Sequence, residues 1–196
     1  MTLNELRDEV YTITGRPDMT ARTVLAVRSA TLKLHQMDFF AKDLFETGIT
    51  FASPSYLQQL EYRPILPRWR ALKYIRKTDV TQADNLPFLA VVTPEQITDA
   101  YGCNRNDICY MGADVINIRS STELQYILLG CYLQPDVTEL GYSSWIALEF
   151  PYAIAYEAAA EVFKATGRTE EYAAYREMAK EQRQLILISN IQQVGY

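Results

Sequence analysis

Two amphipathic helices are predicted near the beginning of the chain, because apolar residues recur there every three or four positions. A capping box of Thr2 and Glu5 precedes the first run, and Gly15 followed by Pro17 ends it. The second helix is predicted over about 20–36. The residues that share a face in the two runs are Leu3, Leu6, Val10 and Ile13, then Val24, Val27, Thr31 and Leu34.

The hydrophobic period changes to two after Phe39-Phe40, which predicts strands through the middle of the chain. Gly112-Ala113-Asp114 is typical of a hairpin turn between two of them. A brief helix is expected from Pro94, a favoured first helical residue, to near Gly102. The predicted strands cover 45–51, 69–76, 88–92, 108–110, 115–118 and 124–133.

Helical spacing returns in the last third of the chain. Ser143-Ser144 is expected to cap a short helical turn, and Pro151 begins a helix that runs to Thr166. Thr169 caps a long final helix. The connection Gly167-Arg168 is so short that these last two helices are expected to pack as an antiparallel hairpin.

Taken together, these elements predict an α+β fold that is mainly helical. We expect 1–43 and 143–196 to form an antiparallel helix bundle, with 44–142 as an inserted antiparallel β region that contains one short helix. A chain of 196 residues is long enough to bury a sizeable core without disulfides or metal.

Counts of particular residue types exclude several kinds of functional site. The eight glycines lie at least ten residues apart, so the glycine-rich phosphate loops and dinucleotide-binding fingerprints are excluded. His35 is the one histidine, which excludes any site that needs two imidazoles. Tyrosine is abundant, with 14 residues, and it is a side chain favoured at protein–protein contacts.

The net charge of −5 is unevenly distributed along the chain. The segment 63–77 holds six basic and no acidic residues, whereas 78–142 holds two basic and nine acidic residues. Because proteins that bind duplex DNA need a broad basic surface, tight DNA binding is not expected. A solvated sheet edge is the leading interpretation of the basic segment, with contact to an acidic neighbouring subunit or to phosphate as alternatives.

The sequence also indicates a compartment. The first eight residues include charged side chains and lack an apolar core, so they are not expected to be a signal peptide. The longest apolar run, 126–133, is too short to span a membrane. Cys103, Cys109 and Cys131 are odd in number and lack zinc-type spacing, which favours reduced, packed thiols in an intracellular product.

Several side-chain groups could carry chemistry, and each has a plainer interpretation. His35 with one cysteine would make a nucleophilic pair, but a partly exposed histidine and packed thiols are expected instead. Carboxylates paired four residues apart on a helix could bind a divalent ion, yet solvated helix faces are favoured. These pairs are Glu157 with Glu161 and Glu177 with Glu181. A carboxylate cluster built from the aspartates of 78–142 is left open.

The order of elements and several local strings resemble the head-to-tail connector, or adaptor, proteins of tailed bacteriophages of the short-tailed type. No single string is specific, but together they span most of the chain. They are Leu3 to Val10, Thr14-Gly15-Arg16-Pro17, Met37-Asp38-Phe39-Phe40, Asp107 to Ile118, Tyr126 to Pro135, Ser144-Trp145-Ile146-Ala147, Pro151-Tyr152-Ala153-Ile154, Glu157-Ala158-Ala159-Ala160 and Gly167-Arg168-Thr169-Glu170-Glu171.

This resemblance implies a structural virion protein without catalytic residues, cofactor or metal. Connector proteins form twelve-fold rings that dock on the portal and extend the channel through which double-stranded DNA passes without tight binding. They also receive the tail nozzle or tail tube protein. The implied location is the head–tail junction of the virion, after assembly in the host cytoplasm and without membrane contact.

By position, the resemblance assigns portal docking to the C-terminal segment, about 186–196. Contacts with a neighbouring subunit or the tail are predicted for a second set of basic and aromatic residues. The docking set is Ile186, Ile188, Ile191, Val194 and Tyr196, and the contact set is Arg68, Arg70, Arg76, Trp145 and Tyr152.

Two other functions are kept as alternatives. One is a non-enzymatic interaction module built on the C-terminal helix hairpin, which would form a small oligomer without a ring. The other is a metal-dependent enzyme, for which Asp107 or Asp114 would be needed for activity.

Overall fold

A computed structural model describes residues 1–78 and 87–194, with side chains to residue 191. The described chain contains five α-helices and five strands, joined by turns and three short 3-10 segments. The helices are α1 (Leu3–Thr14), α2 (Thr20–His35), α3 (Trp145–Glu149), α4 (Pro151–Ala165) and α5 (Thr169–Val194). The strands are β1 (Leu44–Glu61), β2 (Trp69–Thr78), β3 (Ala90–Val91), β4 (Ile108–Gly112) and β5 (Val115–Leu133).

The chain divides into two compact units. The helical unit combines Met1–Asp43 with the chain from Gln134 onward, and the sheet unit is Leu44–Leu133. The interpretation from sequence ended the β region at residue 142. The structure groups 134–142 with the helices instead, because the amide of Leu3 donates to the Tyr142 carbonyl and that of Asn4 to the Leu140 carbonyl, both at 3.0 Å.

The helix ends in the helical unit follow the predicted signals. The Thr2 hydroxyl accepts from the Glu5 amide while the Glu5 carboxylate accepts from the Thr2 amide, so the capping box is formed. Gly15 ends α1 in the left-handed region with φ 67°. The Ser144 hydroxyl caps α3 by accepting from the Ala147 amide at 3.2 Å.

The core of the helical unit is built around α4. Its alanines are so small that neighbouring helices approach it closely, and it is buried along most of its length. Helices α1, α2 and α5 all pack against it. Its buried members include Ile154, Ala155, Ala158, Ala159, Val162 and Phe163.

Strand β5 is the centre of the sheet unit. It pairs antiparallel with β1 in both its first and its second part, with an interruption over 120–123, and on its other side it pairs with β4 in its first part and β2 in its second part. The short β3 pairs parallel with β4. One face of this sheet carries the second core, whose buried members include Leu60, Ile75, Ile116, Ile118, Ile127 and Leu129.

The prediction of a mainly helical fold with an antiparallel insert is wrong. The protein has a mixed α/β architecture with a large central sheet, and one of the strand pairs in that sheet is parallel. The error arose because Ala52 to Glu61, with Pro54, does not alternate, yet it continues β1 after a register shift between Thr50 and Ser55.

Two further predictions in this region differ from the structure. The strands 115–118 and 124–133 are parts of the single strand β5. The brief helix expected from Pro94 to near Gly102 is reduced to a 3-10 segment, Pro94–Gln96. The residues after it form a tight loop in which Thr98 and Asn104 pair antiparallel.

Candidate interaction surfaces

The end of α5 carries large aliphatic side chains that face solvent. Leu187, Ile188 and Ile191 are 36%, 52% and 55% exposed, and Leu185 beside them is also exposed. After Arg183 the sequence contains no charged side chain. We call the side chains of Leu185, Leu187, Ile188 and Ile191 the α5 apolar face.

The structure brings only part of the predicted docking set together. Ile188 and Ile191 lie on the α5 apolar face, whereas Ile186 is fully buried in the helical core and therefore does not line this surface. The side chain of Val194 and the whole of Tyr196 lie outside the described residues. Sequence reasoning missed Leu187, although it lies one turn before Ile191.

A groove of about 510 Å³ runs along α2 beside α4. Leu25 projects into it and is 64% exposed. The α2 residues that line the groove form two ridges along the helix, and within each ridge the residues are four positions apart. Helix α4 contributes two carboxylates to the groove. The α2 residues are Ala21, Leu25, Ser29 and Lys33 on one ridge and Arg22, Ala26 and Ala30 on the next.

Glu157 forms a charged cluster at the floor of this groove. Its side chain is 7% exposed, and its carboxylate binds Lys33 of α2 and Arg183 of α5. Burial alone would raise the pKa of Glu157, but hydrogen bonds from Lys33 and Arg183 outweigh it and hold the pKa below its ordinary value. The prediction of a solvated Glu157 is wrong, while Glu161 is exposed as expected.

His35 and Trp145 are joined through one carboxylate. The Asp43 carboxylate lies 2.9 Å from His35 Nδ1 and accepts a hydrogen bond of 2.8 Å from Trp145 Nε1. His35 is 2% exposed, so the expectation of a partly exposed histidine is wrong. Because the Trp145 indole is held inside the helical unit by Asp43 and by Phe40, it contributes little surface to a partner.

Two of the three cysteines are inert. Burial raises the pKa of Cys109 to about 12 and that of Cys131 to about 11, so neither thiol is a nucleophile at neutral pH. Cys103 is exposed, contrary to the expectation of three packed thiols.

The predicted contact residues of the basic segment lie in the sheet unit. Arg68 is exposed in the turn before β2, and Arg70 and Arg76 are half-buried on β2. The Arg76 guanidinium stacks 4.3 Å from the centre of the Phe88 ring. Tyr152, in the helical unit, is 47% exposed, and its ring lies 5.5 Å from that of Tyr156.

Lys77 departs from the predicted solvated edge because it is 4% exposed. It lies two residues after the buried Ile75 in continuous register on β2, so it shares the core face of the sheet. There its ammonium binds the Asp107 carboxylate and lies 3.2 Å from Ser121 Oγ. Ser121 also donates its amide and hydroxyl to Asp107, at 2.9 Å and 2.7 Å.

This cluster of Lys77, Asp107 and Ser121 is an ion pair rather than a nucleophilic site. Partial burial would raise the pKa of Asp107, but hydrogen bonds from Lys77 and Ser121 lower it to about 2. Lys77 and the Ser121 hydroxyl both direct their donors at the Asp107 carboxylate, so the hydroxyl is engaged in holding that carboxylate. The cluster therefore ties β2 to β5 and to the residue before β4.

The described residues hold no metal-binding cluster, and the sequence has no identified relative. Among the described residues, no three His, Cys, Asp or Glu side chains lie close enough to hold a metal ion. Over the same ranges, no helix is long and apolar enough to cross a bilayer. No protein-family model matches the chain, and no curated protein matches its sequence at a significant level.

Proposed function

We propose that this protein is a structural subunit of a tailed-phage virion, one member of a ring that joins the portal to the tail and continues the DNA channel. The α5 apolar face carries this proposal from the structure, and the sequence strings that resemble phage connectors supply the identity of its partner. In the proposal, the α5 apolar face docks on the portal.

The chemistry of the α5 apolar face suits a protein partner. Contiguous large aliphatic side chains are seldom left in water on a monomer, and they mark surfaces that another protein covers. Since the end of α5 brings no charge, its burial requires no counter-charge on the partner. An apolar groove or an apolar helix on the portal would cover the α5 apolar face.

The basic residues support a channel through which DNA slides. Several cations are held by carboxylates of the same chain: Lys33 and Arg183 by Glu157, Lys77 by Asp107, and Arg63 by Asp114. A cation paired in this way displaces fewer counterions from a phosphate backbone. An acidic protein whose cations are engaged would therefore hold DNA weakly, as a conduit must.

The test is binding to the portal protein of the phage that encodes this chain. Ile188→Asp and Leu187→Asp place a charge on the α5 apolar face, and we expect each to weaken portal binding at least tenfold in a pull-down or titration. Met178→Asp is the matched control, because Met178 is a 44% exposed apolar residue of the same helix that lies about two turns before Leu185.

Docking through α5 would be overturned if wild-type protein does not bind the portal, or if Ile188→Asp protein binds it as wild type does. Circular dichroism and the melting temperature of each variant show whether the fold is kept. Only variants that melt within a few degrees of wild type enter the comparison.

The groove on α2 favours a second candidate, the interaction module. A helix of a partner could lie over the small residues between the two ridges, against Leu25. In that case the purified protein would form a small oligomer or bind a peptide, and it would not form a ring. The mass of the assembled species separates the two functions.

A further inference from the structure

Tyr101 is displayed at the tip of a loop in the sheet unit. It is 92% exposed, the highest value among the large hydrophobic side chains in the part of the chain that the structure describes. The loop begins after β3, and its two sides are joined by the hydrogen bond from the Arg105 amide to the Ile97 carbonyl at 2.9 Å. An aromatic ring placed wholly in water gives no stability to its own fold.

The loop holds the backbone of Tyr101 in a fixed position. Oδ1 of Asp99 accepts from the amides of Tyr101 and Cys103, at 2.9 Å and 2.8 Å. The Asp99 amide in turn donates to the Cys103 carbonyl at 2.8 Å. Gly102 turns the chain with φ +78°, a conformation that other residues rarely adopt. Because the backbone of the tip is already ordered, binding through Tyr101 costs little backbone entropy.

The same unit contains a pocket of about 230 Å³ on the open face of the sheet. The row Gln59–Asn117–Tyr110 crosses β1, β5 and β4 at its floor. Leu57 and Arg119 flank this row, and Ile97 closes the pocket from the loop. We call this cavity the sheet-face pocket.

The sheet-face pocket matches one tyrosine side chain in size and chemistry. Leu57 and Ile97 offer apolar walls, and Tyr110 offers a ring for edge or offset stacking. The Arg119 guanidinium suits the electron-rich face of an aromatic ring. The Asn117 amide suits a phenol hydroxyl, since Gln59 already donates to its oxygen at 3.1 Å.

We propose that Tyr101 of one copy inserts into the sheet-face pocket of a second copy. The exposure of Tyr101 shows that it does not fill the pocket of its own chain, so both the ring and the pocket are available to a neighbour. A second copy is the occupant because the two complementary parts are present together on every chain.

Such a contact is heterologous, because two different patches meet. Each copy in a pair then keeps one free tyrosine and one free pocket, so assembly continues until a ring closes. The inference rests on the proposed function for the closure of the ring, and it names the contact between neighbouring subunits.

The experiment mixes two variants that are each defective in one half of the contact. Tyr101→Ala removes the ring, and Gln59→Trp fills the pocket from an exposed position on an edge strand. Sedimentation velocity of each variant alone should show self-association weakened at least tenfold relative to wild type. An equimolar mixture should form heterodimers that grow no further, because the one productive contact uses up both intact halves.

Tyr56→Ala is the matched control, because Tyr56 is a 54% exposed tyrosine of the same unit outside the pocket, and it should assemble as wild type does. If isolated wild-type protein stays monomeric, the same series is run with the portal present. Wild-type assembly that stops at dimers, or rings that still form from Tyr101→Ala protein, would overturn this contact and leave the proposed function standing. Wild-type protein that stays monomeric both alone and with the portal would overturn both.

Discussion

Gly130 and Tyr74 show how one small residue permits a local arrangement in the sheet. They are paired across β5 and β2, and the Tyr74 ring covers the glycine. A Cβ atom at position 130 would lie 2.5 Å from Tyr74 Cζ, so the ring would have to leave its contact with Phe88. The absence of a side chain at Gly130 is therefore required by its neighbour.

Gly130→Ala is expected to destabilise the protein by about 1–3 kcal/mol, the usual range for overpacking. In a Tyr74→Ala background the same change should cost much less, because nothing then occupies the space. Urea denaturation of the four proteins measures this coupling. Equal costs in both backgrounds would show that the steric explanation is wrong.

Asp107 makes stability depend on pH at the residue scale. Its pKa is about 2 in the folded protein and 3.8 ordinarily, so the carboxylate stabilises the fold fully above about pH 4. That contribution is lost as the pH falls from about 4 to about 2. The interaction that protonation removes is the ion pair between Asp107 and Lys77.

We expect Asp107→Asn to lower the free energy of unfolding by about 1–3 kcal/mol at pH 6, since Lys77 is left buried without its counter-charge. The difference from wild type should shrink between pH 4 and pH 2. Thermal denaturation across this pH series checks it, because the other carboxylates titrate in both proteins. A difference that stays constant down to pH 2 would contradict the lowered pKa.

At the scale of elements, Glu157 joins three helices. Lys33 on α2 and Arg183 on α5 both bind this α4 carboxylate. Glu157→Gln is expected to cost about 2–4 kcal/mol, somewhat below the range for a broken buried ion pair because Lys33 is half exposed. Glu161→Gln, one turn further along α4 and exposed, should change stability by less than about 0.5 kcal/mol. Chemical denaturation compares the two, and equal effects would contradict the bridging role.

The sequence predicted elements well where local signals decide the structure. Thr2 and Glu5 cap the start of α1, Ser144 caps the start of α3, and Gly15 ends α1. Each of these residues acts on backbone groups close to it in sequence, so the sequence spacing is sufficient to predict the helix end. The extension of β1 beyond Phe51 depends on a register shift, and the burial of Lys77 depends on Asp107 and Ser121, which are distant in sequence. Periodicity contains neither piece of information, because it shows neither where a bulge interrupts a strand nor which residue supplies a counter-charge.

The candidate surfaces were only partly predictable for the same reason. A C-terminal apolar segment can be recognised from sequence, but which of its residues face solvent depends on how α5 lies against α4. Ile186 is buried there, whereas its neighbours Leu185 and Leu187 are exposed. The sheet-face pocket could not be predicted at all, because it is assembled from three strands and a loop.

At the scale of the whole molecule, we propose that the protein acts by assembly. Each unit has its own core. The helical unit carries the α5 apolar face and the groove on α2, and the sheet unit carries Tyr101 and the sheet-face pocket. Two of the three thiols are buried, and the charged clusters around Glu157 and Asp107 are held together within the fold. The proposed function therefore rests on the α5 apolar face and on the contact through Tyr101.

The mass of the complex formed with the portal protein tests this claim most directly. Native mass spectrometry of the purified mixture should show a closed assembly with about twelve copies of this chain on each portal, the number that the connector resemblance implies. Negative-stain electron microscopy should show the added density as a ring. A chain that stays monomeric beside an intact portal would contradict the account.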